Sequence, residues 1–362
     1  MRSSRDVSPP WRLPLLVLAF AALATGAAAG LARLGWPLQA PAAAHGPLMI
    51  AAFFGTVISL ERAVAIGARW AYLAPLASGL GGLALATGAG VAYALPLAAV
   101  GSLVLLAATL AIFARQRALF TFTLLLGGLA WFVASLMRVD GREVSQVTPW
   151  WIGFLVLTIA GERLELSRFL PPSRFAQATF AAILAWLAVS LVATAFAPDP
   201  ATTSFGAALA VLALWLLRHD IARRTVHEQG LTRFIAVALL AGYFWLTLGG
   251  AAIVAAGGLA LGSPDYDAAL HMILVGFVFS MVFGHAPIIF PAVLRVQVPY
   301  SPLVYLPLAV MHASLVVRIV GDYSGDFGMR SAGGMGNALA LALFVLVTVS
   351  AVVRGLRMRR AG

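Results

Sequence analysis

Twelve stretches of about 20 predominantly apolar residues follow one another along this chain, and that pattern constrains its fold more than any other feature. A helix needs about 20 such residues to cross a bilayer. In lipid only structures that satisfy their own backbone hydrogen bonds can span. The stretches fall at 13–32, 43–63, 70–90, 93–114, 118–138, 147–167, 175–197, 201–218, 233–257, 267–290, 302–321 and 334–354. They predict an all-α, polytopic integral membrane helix bundle of about 12 transmembrane helices, forming a single transmembrane domain over 1–362. With 62% hydrophobic residues, 10% charged and a mean hydropathy of +0.96, the chain lacks the composition of a soluble globular protein.

Charge orients the bundle. All 24 basic residues are arginines. With a cytoplasmic N-terminus, only Arg33, Arg138, Arg142, Arg318 and Arg330 fall outside, leaving 19 of the 24 on the inner side, among them Arg2, Arg5, Arg168, Arg359 and Arg360. This positive-inside bias predicts cytoplasmic N- and C-termini and a multi-pass protein of the bacterial inner membrane. The net charge of +11 therefore points to anionic lipid headgroups and not to nucleic acid. The N-terminus mimics a secretory signal through Ala27, Ala28 and Ala29, but its apolar run continues for about 20 residues, the length of a retained helix. The absence of cysteine removes disulfides, thiolate haem ligation, iron–sulfur clusters and c-type haem attachment.

Similar endings recur at helices two and six, with Glu61-Arg62 and Glu162-Arg163 near the inner interface, and at helices five and eleven, with Arg138 and Arg318 near the outer one. This suggests three sequential four-helix units. The glutamates read as interfacial ion pairs with neighbouring arginines. Gly79, Gly81, Gly82, Gly88 and Gly90 in the third stretch read as packing residues. The connection over 218–232 reads as a basic cytoplasmic loop, with His219 and His227 solvated.

Four histidines lie inside apolar segments: His45, His271, His285 and His312. An ionisable residue at that depth needs a partner and marks a functional site by default. Imidazole is also the commonest metal ligand. His45 sits near the outer end of helix two and His271 near the outer end of helix ten, at similar expected depth. Bis-imidazole ligation of a b-type haem asks for two histidines so placed; the competing reading is that each imidazole bonds a nearby carbonyl. Gly46 and Gly276 offer room for a flat macrocycle, and Arg138 and Arg318 are candidates to meet its propionates or to snorkel to the interface. His285 follows His271 by fourteen residues, just before Pro287 and Pro291, which predicts a bent or opened stretch. His312 and His285 are candidates for a second ligand set or metal. Met49, Met272, Met281 and Met311 read as packing residues. No phosphate-binding loop, dinucleotide fingerprint or HExxH occurs.

The segment LHMILVGFVFSMVFGHAP, beginning at Leu270, resembles the late histidine-bearing helix of the NnrS family, and HGPLMIAAFFGTVISLERAV, beginning at His45, its early one. These are integral membrane proteins associated with haem, copper and the response to nitric oxide. The resemblance implies a haem b or copper protein that handles a diatomic gas. The early helix here carries one histidine, His45, where that family tends to carry more. The twelve-helix plan also resembles subunit I of haem–copper oxidases, which implies axial ligands at His45 and His271. Helices six and seven lack histidine, so the oxidase copper triad is missing.

The expected function is thus a b-type haem protein acting in nitric oxide handling or electron transfer, with membrane lipid as its surroundings. Its redox partner is unspecified, and so is whether it turns over a substrate. The alternative is a secondary transporter or channel in which the histidines act as proton-linked switches.

Overall fold

The computed structural model describes residues 6–166 and 173–361, and every regular element among them is helical. Arg2, Arg5 and Arg168 lie outside the described residues, as do the side chains of Arg359 and Arg360. The helices are α1 (Leu13–Arg33), α2 (Ala42–Ile66), α3 (Leu73–Ala86), α4 (Val91–Arg115), α5 (Leu119–Val139) and α6 (Val144–Leu166). They continue with α7 (Arg174–Ala193), α8 (Pro198–His219), α9 (Gly230–Ala255), α10 (Pro264–Leu294), α11 (Pro302–Ser324) and α12 (Phe327–Ala361).

Eleven of these are long and apolar enough to cross a membrane. Their outward faces carry large apolar side chains, including Leu110 at 52%, Val189 at 67% and Leu346 at 65% exposure. Water would penalise such surfaces and acyl chains would not. The chain is a multi-pass membrane protein.

The third predicted stretch, 70–90, is the exception. Its α-helix has only 14 residues, preceded by a 3-10 turn over Arg69–Tyr72. Gly79, Gly81 and Gly82 pack as expected: a Cβ at Gly79 would lie 2.9 Å from Leu18, and one at Gly82 2.6 Å from Ala52. Gly88 and Gly90 instead adopt φ of +74° and +108°, which ends the helix early.

The chain groups into two compact units. The first runs to Gly161 and takes in Ala292–Arg295; the second comprises Glu162–Pro291 and continues from Val296. In the first, Gly26 and Gly30 of α1 form a small-xxx-small face toward α2. Added Cβ atoms there would meet the Met49 sulfur and the His45 ring at 2.8 Å. In the second, Gly250 of α9 approaches the Gly206 carbonyl of α8 so closely that a Cβ would lie 2.6 Å from that oxygen. Met281 fills the space over Gly242, with its methyl 2.6 Å from where a Cβ would stand.

Two stretches depart from α-helical winding. Leu48–Phe54 within α2 and Met272–Phe279 within α10 are π-helical. The opening expected at Pro287 and Pro291 is not there, because α10 stays helical through both prolines to Leu294. Its irregularity lies upstream, against His271. Arg295, at φ +56°, then terminates it.

Candidate functional site

Both histidines expected to carry the chemistry stand next to a π-helical stretch. His45 precedes Leu48–Phe54 by three residues, and His271 directly precedes Met272–Phe279. Such widened turns are rare and concentrate at functional sites. His45 belongs to the first unit and His271 to the second.

The imidazole of His45 lies on the Gly30 backbone and donates from Nδ1 to the Gly26 carbonyl at 2.7 Å. A carbonyl can only accept, so Nδ1 carries the proton and Nε2 carries the lone pair. His271 repeats this arrangement: Nδ1 donates to the Asp267 carbonyl at 2.7 Å and stands 3.4 Å from the Asp267 carboxylate. A metal-binding histidine is commonly held this way, with its other nitrogen bonded to a carbonyl or carboxylate. The two readings offered by sequence, ligand or carbonyl-bonded residue, are therefore compatible, since the carbonyl bond is made through Nδ1 and not through Nε2.

Asp267 anchors a polar cluster at the adjoining ends of α10, α11 and α12. Arg318 grips it through Nε at 2.9 Å and Nη2 at 3.1 Å, and Arg330 Nη2 lies 3.2 Å away. Arg330 Nε is also 2.9 Å from Asp322, an ion pair by distance whose angle falls short of a hydrogen bond. Two carboxylates and two guanidinium groups thus balance charge beside His271. Arg318, a candidate for a propionate, is engaged by Asp267 instead. The i,i+4 spacing of Asp267 with His271, and of Arg318 with Asp322, was a readable signal for this cluster.

His285 shares the Nδ1-to-carbonyl anchoring of His45 and His271 but has a different neighbour, and His312 is held the other way round. His285 donates from Nδ1 to the Met281 carbonyl at 2.7 Å, and Arg163 Nη1 lies 3.4 Å from its Nε2. The lone pair of His285 therefore faces a guanidinium, and a metal cation there would meet like charge. His312 has the opposite tautomer. Its Nδ1 accepts from Trp245 Nε1 at 2.9 Å, which places the proton on Nε2, a buried atom with no hydrogen-bond partner. It presents N–H where a ligand needs a lone pair. Gly276 does not make room for a macrocycle either, because Trp245 occupies that space, with Cγ 2.5 Å from where a Cβ would stand.

Sequence reasoning missed a second buried network. Arg163 was expected to pair at the interface with a glutamate; it binds Asp220 through Nε at 2.8 Å and Nη2 at 2.9 Å. Tyr243 donates to the same carboxylate at 2.6 Å and the Ala222 N–H at 2.7 Å. Burial pushes the Asp220 carboxyl up, but these four donors outweigh it and hold the carboxyl below its ordinary value. The supposed loop is thus anchored at Asp220 and carries a helical turn over Ala222–Thr225. His219, expected in water, stacks on Trp215 at 4.6 Å between centroids, whereas His227 is exposed. Glu61 does pair with Arg62, at 3.3 Å.

Among the described residues no three His, Asp or Glu side chains converge as a metal-binding group. The donor set that fits haem iron is therefore single imidazoles. His45, His271 and His285 all carry the proton on Nδ1, but only His285 turns its Nε2 toward Arg163, and His312 carries its proton on Nε2. Arg138 donates from Nη1 to the Arg142 carbonyl, while its Nε is shielded from solvent and has no acceptor.

No curated protein matches this chain. Residues 12–353, nearly its whole length, match the family described as a domain of unknown function, DUF8744, and the chain belongs to that family.

Proposed function

We propose that this protein is a b-type haem protein of the bacterial inner membrane, with eleven long spans, α3 as a shorter twelfth and cytoplasmic termini, in which His45 and His271 each present Nε2 to haem iron. One observation carries the reading. In each imidazole Nδ1–H is bonded to a main-chain carbonyl, which leaves the lone pair on Nε2, and each adjoins a π-helical stretch. Haem so held supplies reversible binding of a diatomic gas such as nitric oxide, or one-electron transfer. The likeness to NnrS proteins in the segments around His45 and His271 favours gas handling. Purification in mild detergent, followed by visible spectra and metal analysis, tests this. Expected are iron in place of copper, a Soret band and reduced α and β bands. The bands weaken or shift in His45→Ala and His271→Ala but persist in His285→Ala and His312→Ala. Colourless protein from haem-sufficient cells overturns it.

The buried Arg163–Asp220–Tyr243 network with His285 beside it favours a second reading, a transporter or channel, since charged groups inside membrane proteins mark ion and proton pathways. Uptake into proteoliposomes by colourless protein, abolished in His285→Ala, is its signature.

A further inference from the structure

In the cluster beside His271, Asp322 is wholly buried, and neither of its carboxylate oxygens has a hydrogen-bond partner. Backbone contact between α11 and α12 fixes the turn that carries it. A Cβ at Gly321 would overlap the Arg330 backbone, and one at Gly333 the Arg318 backbone. Among the described residues its only ion-pair partner is Arg330, whose Nε stands 2.9 Å from Oδ1 at an angle that makes no hydrogen bond. That guanidinium is divided, because its Nη2 also lies 3.2 Å from Asp267, which Arg318 already grips through two hydrogen bonds. Arg330 is 31% exposed and opens the cluster toward the water at the helix ends. The other ionisable groups at this end are Asp265 and Tyr266 on α10, Tyr323 next to Asp322, and the exposed Asp326 just before α12. The adjoining end of α9 brings none.

Asp220 shows what a permanently charged buried acid looks like in this protein: it receives four hydrogen bonds. Asp322 receives none, so its negative charge keeps a desolvation cost that a proton would remove. Two side chains, Asp267 and Arg330, stand between it and His271, whose Nδ1 lies 3.4 Å from the Asp267 carboxylate. An electron added at iron on His271 would put negative charge on the order of 12 Å from Asp322. At an effective dielectric of about 20, that strengthens the hold of the acid on a proton about tenfold.

We propose that Asp322 is a proton-binding site that loads when the haem held by His271 is reduced, an inference that rests on the haem reading above. A one-electron reductant supplies the electron and water at the helix ends the proton, which turns the carboxylate into a carboxylic acid. The summed charge of iron and cluster is unchanged, and oxidation reverses both transfers. The test is the midpoint potential of full-length protein in mild detergent against pH, titrated with dithionite and ferricyanide. The potential falls by about 59 mV between an acid and an alkaline plateau, the one-electron equivalent of a tenfold change. Asp322→Asn, neutral like the protonated acid, stays at the acid plateau throughout, whereas Asp326→Asn keeps the fall. Reduced-minus-oxidised infrared spectra show a carboxylic-acid C=O band that shifts in heavy water and is lost in Asp322→Asn. Coloured protein with a flat potential, a fall that survives in Asp322→Asn, or absence of the band overturns this proposal alone. Colourless protein overturns the haem reading and the coupling with it. Should Asp322→Asn fail to fold, the pH dependence and the infrared band of the unaltered protein decide.

Discussion

Arg163 holds Asp220 by two parallel hydrogen bonds, and both side chains are almost wholly buried, at 4% and 0% exposure. Removing one partner strands the other as an unpaired buried charge. Asp220→Leu is therefore expected to destabilise the protein by about 3–5 kcal/mol. Arg163→Met added to Asp220→Leu should recover much of that loss, because an apolar pair replaces an ionic one at little net cost. Unfolding of both variants in detergent checks this, and a double variant less stable than the single one counts against it.

The same pair sets a pH dependence. The folded-state carboxyl of Asp220 lies below its ordinary 3.8. Its stabilisation is fully present above the ordinary value and is lost as pH falls through the lowered one. Acid unfolding from about pH 5 downward should therefore be less steep in Asp220→Asn than in the unaltered protein. Equal acid slopes would refute the assignment.

Asp267 orients His271, so its carboxylate should tune whatever Nε2 binds. Asp267→Asn keeps the main-chain acceptor of His271 Nδ1 but removes the negative charge 3.4 Å from it, and is expected to weaken haem retention by about 10-fold, the lower end of what losing a group behind a ligand costs. It also leaves Arg318 and Arg330 short of one negative charge, so stability must be followed in parallel. Loss of haem without loss of fold is the expected result.

Gly30 and Gly276 make opposite statements about space. A Cβ at Gly30 would push on the His45 ring at 2.8 Å, and one at Gly276 on Trp245 at 2.5 Å. Each alanine variant should cost about 1–3 kcal/mol through overpacking. Only Gly30→Ala is also expected to alter the haem spectrum, since Trp245 abuts His312 and not a proposed ligand. A spectral change in Gly276→Ala alone would reverse these roles.

Hydropathy alone was enough to read helices, their order and their approximate ends, because lipid leaves a spanning backbone few options. Eleven of the twelve expected stretches are helices of membrane-crossing length; the third fell short where Gly88 and Gly90 turn left-handed. The importance of His45 and His271 was legible too, since an imidazole in an apolar run is conspicuous. Which nitrogen each offers was not, because that depends on a carbonyl brought up by another turn or helix. Residue type and spacing likewise could not tell His271, backed by Asp267, from His285, faced by Arg163. The partnership of Arg163 with Asp220 spans 57 residues, and the π-helical winding beside both histidines has no periodicity signature. Local sequence thus determined where the chain is helical across the bilayer and that four imidazoles lie within those helices. Tertiary structure alone decided which groups meet, because a buried charge or N–H takes its partner from whichever helix packs against it.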